Sequence, residues 1–352
     1  MNHTVQELKN ITRKLLDTPM ESGQETVRDL SHFFQLFLTQ ENSYEEIIVD
    51  HGKALSTAQA ASCVLDYKRT IQFIKGIYLA ILDKKEKLPE ETISILYAGS
   101  GPFGTLLVPL LPLFDPEELS VTFIDINQGS VNTLKQVIQK LDLENYVNNI
   151  LLEDAINYQP PKDELPDIII SETMAYALTT EPQVAIMNSL APLLKTEGVL
   201  IPEAIELALD YTSYAKEPIL SVCNNEYTIK NTGSRYFLKN KSKIIYKIDK
   251  NTPKDIEKSL RFETDWFKRP DSIEEAPDIC IYTFVQIYKN ICLNQADSLI
   301  TNPYCVGSLY NIEKGAKFKL KYCTQPVPKW NLATLKYEEH FTKNQNHETA
   351  NL

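Results

Sequence analysis

Residues 93–105 read Ile-Ser-Ile-Leu-Tyr-Ala-Gly-Ser-Gly-Pro-Phe-Gly-Thr. A short apolar run, Ile93, Ile95 and Leu96, leads into Gly99, Gly101 and Gly104 and then into a second apolar run. The pattern predicts a strand, a tight glycine turn and the start of a helix. Glycine lets the backbone adopt positive φ and lets a ligand come close to the main chain. A helix start beyond the turn would offer free N–H groups. On its own such a motif is a weak sign of a nucleotide-type site, so its neighbours decide.

Moving outward, residues 91–210 alternate between strand-like and helix-like patterns. Strands are expected at 93–98, 120–126, 147–152, 167–171 and 198–201, and helices most clearly at 129–141 and 182–194. This alternation implies right-handed crossovers and a mostly parallel sheet covered on both faces. Ligands of such sheets sit at the carboxyl ends of the strands. The residues to read are therefore 99–104, Asp125, Asp154 and Glu172.

Upstream, residues 1–90 carry apolar side chains at helical spacing over 4–16, 25–39 and 58–82, with a break marked by Pro19 and Gly23. Downstream, residues 203–352 become rich in tyrosine and other strand formers. Strands at 208–214, 243–248, 280–287 and 318–322 suggest a mostly antiparallel barrel or sandwich, with a frayed polar tail at 343–352. Three segments follow: helices at 1–90, the α/β unit at 91–202 and the β segment at 203–352.

Composition limits the function. The 352 residues are 43% hydrophobic and 24% charged, as in an ordinary globular protein. A net charge of −11 argues against nucleic acid as a partner and favours cationic ones. No apolar run approaches the ~20 residues of a membrane span. The polar N-terminus has no signal-peptide core, so a cytoplasmic location is expected. The six cysteines contain no C-x-x-C pair and read as reduced core residues. No histidine lies between His51 and His340, which removes histidine metal clusters and a Ser-His-Asp triad from that stretch. No metal site is expected.

Individual residues carry the candidate chemistry. Asp125 ends a strand about 20 residues after the glycine turn, where a carboxylate suits two adjacent ribose hydroxyls; that fits NAD, FAD or S-adenosylmethionine. Asp154 and Ala155 follow the third strand. There an acid can accept from an adenine amino group beside a small residue, although Asp154 reads equally well as a solvated loop acid. Glu172 follows a buried strand, and Glu181 stands nine residues later, before Pro182. If the loop between them folds back, two carboxylates converge on a planar cation; otherwise Glu181 is an acid at a helix start. Arg69 reads either as a snorkelling side chain or as an anchor for a ligand carboxylate.

Taken together, these residues resemble the protein arginine methyltransferase family, a branch of the class I S-adenosylmethionine-dependent methyltransferases. Asp66-Tyr-Lys-Arg69-Thr70 resembles the family's Asp-x-x-Arg-Thr, and Gly99-Ser100-Gly101-Pro-Phe-Gly104 resembles its glycine loop. Ser171-Glu172-Thr-Met174-Ala-Tyr176, with Glu181 beyond it, is similar to the double-glutamate loop. Gly198-Val-Leu-Ile-Pro202 resembles the close of the catalytic core. The resemblance implies a Rossmann-like methyltransferase domain with N-terminal helices and a C-terminal antiparallel β-barrel-like domain. It implies S-adenosyl-L-methionine as cofactor, with S-adenosyl-L-homocysteine as product. Arg69 would hold the methionine carboxylate, and Gly99, Ser100, Gly101, Gly104, Asp125, Asp154 and Ala155 the rest of the cofactor. Glu172 and Glu181 would be catalytic, and Met174, Tyr176 and Trp330 would bind substrate. The implied partner is a cationic acceptor, a protein or peptide or a small molecule, and the family's habit is a homodimer.

Two family features have no match. No tyrosine pair stands near Ala54, and Pro328-Lys329-Trp330 is the nearest counterpart of a Thr-His-Trp loop. Both bear on the acceptor. A methyltransferase acting on a small molecule or a biosynthetic peptide, a non-catalytic S-adenosylmethionine-binding scaffold and an NAD-dependent enzyme stay open as alternatives.

Overall fold

A computed structural model describes residues 3–38, 45–161, 164–223, 226–231, 243–252 and 256–335. The chain opens with α1 (His3–Asp17) and α2 (Gln24–Gln35), which bury Leu8, Leu15, Leu30 and Phe34 at helical spacing. The short hairpin β1 (Ile47–Val49) and β2 (Gly52–Ala54) follows. Position 39, the expected end of the second helix, lies outside the described residues.

The single helix expected at 58–82 is two helices, α3 (Thr57–Ser62) and α4 (Tyr67–Lys87). Asp66 leaves helical geometry between them, at φ −72° and ψ 82°. Its carboxylate accepts from the Ser298 hydroxyl and the Leu299 N–H, at 2.6 and 2.8 Å. A tertiary contact thus overrides a continuous apolar periodicity.

The parallel sheet consists of β3 (Ile93–Ala98), β4 (Leu119–Asp125), β5 (Val147–Leu152), β6 (Ile168–Ser171) and β7 (Val199–Ile201), in the order β5-β4-β3-β6-β7. Helices α5 (Gln128–Lys140) and α6 (Gln183–Leu190) make the connections after β4 and β6. The strand order reverses between β3 and β6, so the crevice at their carboxyl ends is the topological switch point where α/β sheets bind ligands.

No α-helix follows the glycine turn, contrary to the expectation. Residues 99–107 form turns that lead into a 3-10 segment, Val108–Leu113. Pro109 and Pro112 lack N–H donors and clash with a preceding helical turn. The N-terminal helices cover this stretch instead. The Thr12 hydroxyl donates to the Pro109 carbonyl at 3.0 Å, and the Phe34 ring stacks on Phe103 with centroids 5.0 Å apart.

The remaining chain is antiparallel. One sheet orders β11 (Lys243–Asp249), β8 (Ala204–Thr212), β14 (Asp278–Tyr288) and β15 (Ile291–Leu293), with β16 (Tyr304–Ser308) also paired to β14. Strands β9 (Ile219–Cys223) and β10 (Glu226–Lys230) form a separate hairpin. A second sheet is built on β17 (Lys317–Cys323), flanked by β12 (Arg261–Glu263), β13 (Phe267–Lys268) and β18 (Lys329–Thr334). A short α7 (Ile256–Leu260) precedes β12. The segment is mostly antiparallel, as expected, but a barrel is not confirmed: neither sheet closes on itself among the described residues. Helix α4 packs on β3 and β7 and also on β14 and β15, which joins the two halves. Among the described residues, no helix is long and apolar enough to cross a membrane. The tail at 343–352 lies outside the described residues.

Candidate functional site

A cavity of about 590 Å³ opens at the switch point, bounded by the carboxyl ends of β3, β4 and β6. That volume falls in the range of small-molecule sites. The glycine turn forms its floor. Gly99 and Gly101 adopt φ of +69° and +64°, which side chains disfavour. A Cβ on Gly99 would also come within 2.2 Å of the Thr173 methyl, so the turn can approach the loop after β6 only as glycine. Ser100 lines the cavity beside them.

Asp125 is fixed by backbone. Its Oδ2 accepts from the Gly101 N–H and its Oδ1 from the Asn127 N–H, both at 2.8 Å. Burial raises its pKa to about 6, partly offset by these two donors. Asp154 and Ala155 lie further along the wall, and Asp154 accepts from the Ile156 N–H at 3.0 Å.

Arg69 and Glu172 meet directly. The Arg69 Nε donates to Glu172 Oε2 at 2.6 Å, its Nη2 contacts the same oxygen, and its Nη1 donates to the Cys63 carbonyl at 2.9 Å. Both side chains are nearly buried. The residue expected to anchor a ligand carboxylate is thus paired with one of the two expected catalytic carboxylates.

Glu181 has a different environment. Its carboxyl makes no hydrogen bond among the described residues, and burial followed by repulsion from Glu172 lifts its pKa to about 8. The loop between the two glutamates does fold back. Ala177, Leu178 and Thr180 all take positive φ, between 55° and 65°. Non-glycine residues hold such geometry only where surrounding contacts over-determine it. Here the contacts come from the C-terminal sheets. The Thr283 hydroxyl accepts from the Ala177 N–H (2.8 Å), the Trp330 indole donates to the Ala177 carbonyl (2.9 Å), and the Tyr322 hydroxyl donates to the Leu178 carbonyl (2.8 Å). The Thr180 carbonyl also accepts from the Lys53 N–H of the β1–β2 hairpin at 2.9 Å.

The structure therefore brings Arg69, Gly99, Ser100, Gly101, Asp125, Asp154, Ala155, Glu172, Met174, Tyr176 and Glu181 to one cavity. Two predicted residues do not line it. Gly104 serves packing: a Cβ there would lie 2.7 Å from Val108 and 3.2 Å from Phe123. Trp330 is buried behind the glutamate loop and supports it; it does not form the cavity wall.

Sequence reasoning assigned no site role to two groups of lining residues, and it read Asp66 only as part of the motif around Arg69. Val49, Lys53 and Ala54 on the β1–β2 hairpin form a wall, and Asp50 and Gly52, turn-forming residues around His51, are the local signal for it. Tyr214 and Asn302, from the C-terminal half of the chain, also line the cavity. Asp66 is 2% exposed, and its Oδ1 has no hydrogen-bond partner although the residue lines the cavity. Its partner Ser298 stands 232 positions away, a distance no local pattern spans. No group of His, Cys, Asp and Glu side chains that could hold a metal ion occurs among the described residues.

No model of a known protein family matches the chain. No curated protein matches it either. Among solved structures it is similar to the Trypanosoma brucei PRMT1 enzyme–prozyme heterotetrameric complex with AdoHcy. That similarity is at 14% identity and a TM-score of 0.48, over 74% of this chain and 86% of that one.

Proposed function

We propose that this protein is an S-adenosylmethionine-dependent methyltransferase that methylates a guanidino or amine nitrogen. The observation that supports it most is the convergence of Glu172 and Glu181 on the cavity that also holds the glycine turn and Asp125. The residues fit the cofactor's polar groups. Asp125 has two fixed N–H donors and the remaining lone pairs of a carboxylate to offer ribose hydroxyls. The positive φ of Gly99 and Gly101 and their lack of side chains leave the main chain of the turn open to a ligand. When bound, the cofactor supplies an electrophilic methyl group.

The chain's own residues then position and stabilise. Both Arg69 contacts fall on Glu172 Oε2, which leaves Oε1 for a donor on the acceptor. Glu181 becomes a carboxylate when a cation approaches, because a nearby positive charge lowers a carboxyl pKa. Two carboxylates across one planar cation fix its orientation and concentrate lone-pair density on the attacking nitrogen. A guanidinium stays protonated in water, so stabilising its charge matters more than a strong base. Met174 packs at the reacting end, and Tyr176 shapes the acceptor slot.

The test is calorimetric titration with S-adenosylhomocysteine and separately with NAD, followed by transfer assays on arginine peptides and on small amines. Binding of the homocysteine product with no response to NAD is expected; the reverse result would sink the proposal. A non-catalytic scaffold is the second reading. It draws on one observation, that Glu172 and the Cys63 carbonyl already occupy the Arg69 guanidinium. Product binding without turnover on any amine would favour it.

A further inference from the structure

Cys280 on β14 and Cys305 on β16 are partners in the antiparallel ladder, beside a bulge in β16 that shifts the register between Ile279 and Cys280. Antiparallel partners hold their Cα atoms about 4.5–5.5 Å apart, within the Cα separations of about 4.4–6.8 Å that disulfides span. The remaining cysteines of the described strands have no such partner: Cys292 faces Gln286, and Cys323 faces Arg261 and Lys329.

The pair is asymmetric. Cys280 is fully buried and Cys305 half-buried. The Cys305 thiol donates to the Gly307 carbonyl at 3.8 Å. The neighbouring Cys280 thiol holds the Cys305 pKa below its ordinary value, and the same pairing, with burial, pushes that of Cys280 up. This gives an accessible nucleophile backed by a buried second thiol. Cys63 in the cavity wall contrasts with it, its thiol pushed up to about 12 by burial.

The pair also adjoins the aromatic side of the cavity. Cys280 shares its strand face with Asp278 and Tyr282, two residues away on either side. Asp278 accepts from the Tyr214 N–H at 2.9 Å, and Tyr282 donates to the buried Glu217 at 3.0 Å. Tyr304, next to Cys305 in β16, packs its ring 5.9 Å from that of Tyr176. Tyr176 and Tyr214 both line the cavity.

We propose that Cys280 and Cys305 are a site of reversible oxidation by peroxide, forming a cross-strand disulfide that repositions the tyrosine wall of the cavity. The Cys305 thiolate attacks one peroxide oxygen, the O–O bond breaks, and Cys305 becomes a sulfenic acid while hydroxide leaves. The Cys280 sulfur then attacks the Cys305 sulfur, the S–O bond breaks, and water departs with the Cys280 proton. Overall, two thiols lose two electrons, and one hydrogen peroxide is reduced to two waters. A small thiol such as dithiothreitol reverses the bond by exchange. None of this depends on the methyltransferase reading.

The test is peroxide treatment of the full chain, alkylation under denaturing conditions and peptide mapping. Free Cys280 and Cys305 are expected to fall together by roughly tenfold, to appear as one cross-linked peptide and to return with dithiothreitol. Cys305→Ser should protect Cys280. Hydrogen exchange around Tyr214 and Tyr304 should change a few-fold on oxidation. The proposal is overturned if Cys305 stops at the sulfinic acid with Cys280 free, or if either pairs elsewhere. It is equally overturned if neither reacts at a dose that oxidises a free thiol, if Cys280 is lost equally in the serine variant, or if exchange near the tyrosines is unchanged.

Discussion

The two walls of the cavity are built by different means. On the parallel-sheet side, short-range backbone contacts place each group: Asp125 is held by N–H groups of the adjacent turns, and Gly99 donates to the Ile124 carbonyl at 2.9 Å. On the glutamate side, the loop from Glu172 to Glu181 is held from behind by Thr283, Tyr322 and Trp330, more than 100 positions away in the chain. The first wall is a property of the α/β unit. The second exists only when the C-terminal sheets are folded against it. Cofactor binding and acceptor chemistry should therefore fail separately.

Glu172→Gln is expected to separate them most. On the proposed reading it removes the charge that faces the acceptor, so transfer should fall by about 10²–10³-fold or more. It also leaves Arg69 as a buried cation with only neutral partners. Breaking a buried ion pair from one side costs about 3–5 kcal/mol, so the melting temperature should drop as well. Affinity for S-adenosylhomocysteine should stay the same or rise, because Arg69 is released. If calorimetry shows that affinity lost in protein still folded by circular dichroism, the two walls are not independent.

Asp125→Asn probes the other wall. Hydrogen bonds to a charged group contribute about 1.5–3 kcal/mol, so product affinity should fall roughly 10–100-fold. The wild-type affinity should also depend on pH. The Asp125 pKa is raised to about 6, so the carboxylate that ribose hydroxyls prefer is lost as pH falls below that value. Affinity should weaken toward pH 5 and level off above pH 7, with the slope absent in the asparagine variant. A flat wild-type profile would remove Asp125 from the site.

The same contrast explains what the sequence could reveal. Strands β3 and β5 lie at their predicted bounds, because apolar runs ended by glycine or acid are local signals. Glu172 and Asp125 were legible because strand-end residues of a parallel sheet face one crevice; Glu181 was legible only through its spacing from Glu172, on the condition that the loop folds back. The missing helix after the glycine turn was legible in principle from Pro109 and Pro112, and the apolar run outweighed them in the reading. The split at Asp66 and the role of Trp330 were not legible. Each depends on a partner more than 150 positions away, set by how the antiparallel sheets dock. Trp330 was expected to bind substrate, but an aromatic side chain behind the loop and one beside a substrate look alike in sequence.

Tyr322→Phe tests the support of the second wall without touching the cavity. It removes the hydroxyl that bonds the buried Leu178 carbonyl and leaves that carbonyl unpaired, at a cost of about 1–3 kcal/mol. Transfer should drop about tenfold through the acceptor's KM, with product affinity within twofold of wild type. Equal losses in both would mean that the loop supports the cofactor too.

The smallest expected effect concerns Glu181, and its sign follows from burial. Its pKa rises from 4.5 to about 8 in the folded protein, so between those values the native state holds more protons than the unfolded chain. Stability from this group is fully present below pH 4.5 and declines as pH rises through 8. Glu181→Gln lacks that decline and should be more stable than wild type at pH 8–9, by on the order of 1–3 kcal/mol. Activity moves the opposite way. If the acceptor is cationic, as proposed, it needs the carboxylate, which at a pKa of about 8 is about a tenth populated at pH 7 and half populated at pH 8. The acceptor kcat/KM should therefore rise about fivefold over that unit and level off beyond pH 9, while cofactor affinity stays flat above pH 7. Opposed slopes for stability and activity, both abolished in the glutamine variant, would assign Glu181 to the acceptor wall. A rise in both with pH would place the titration on another group.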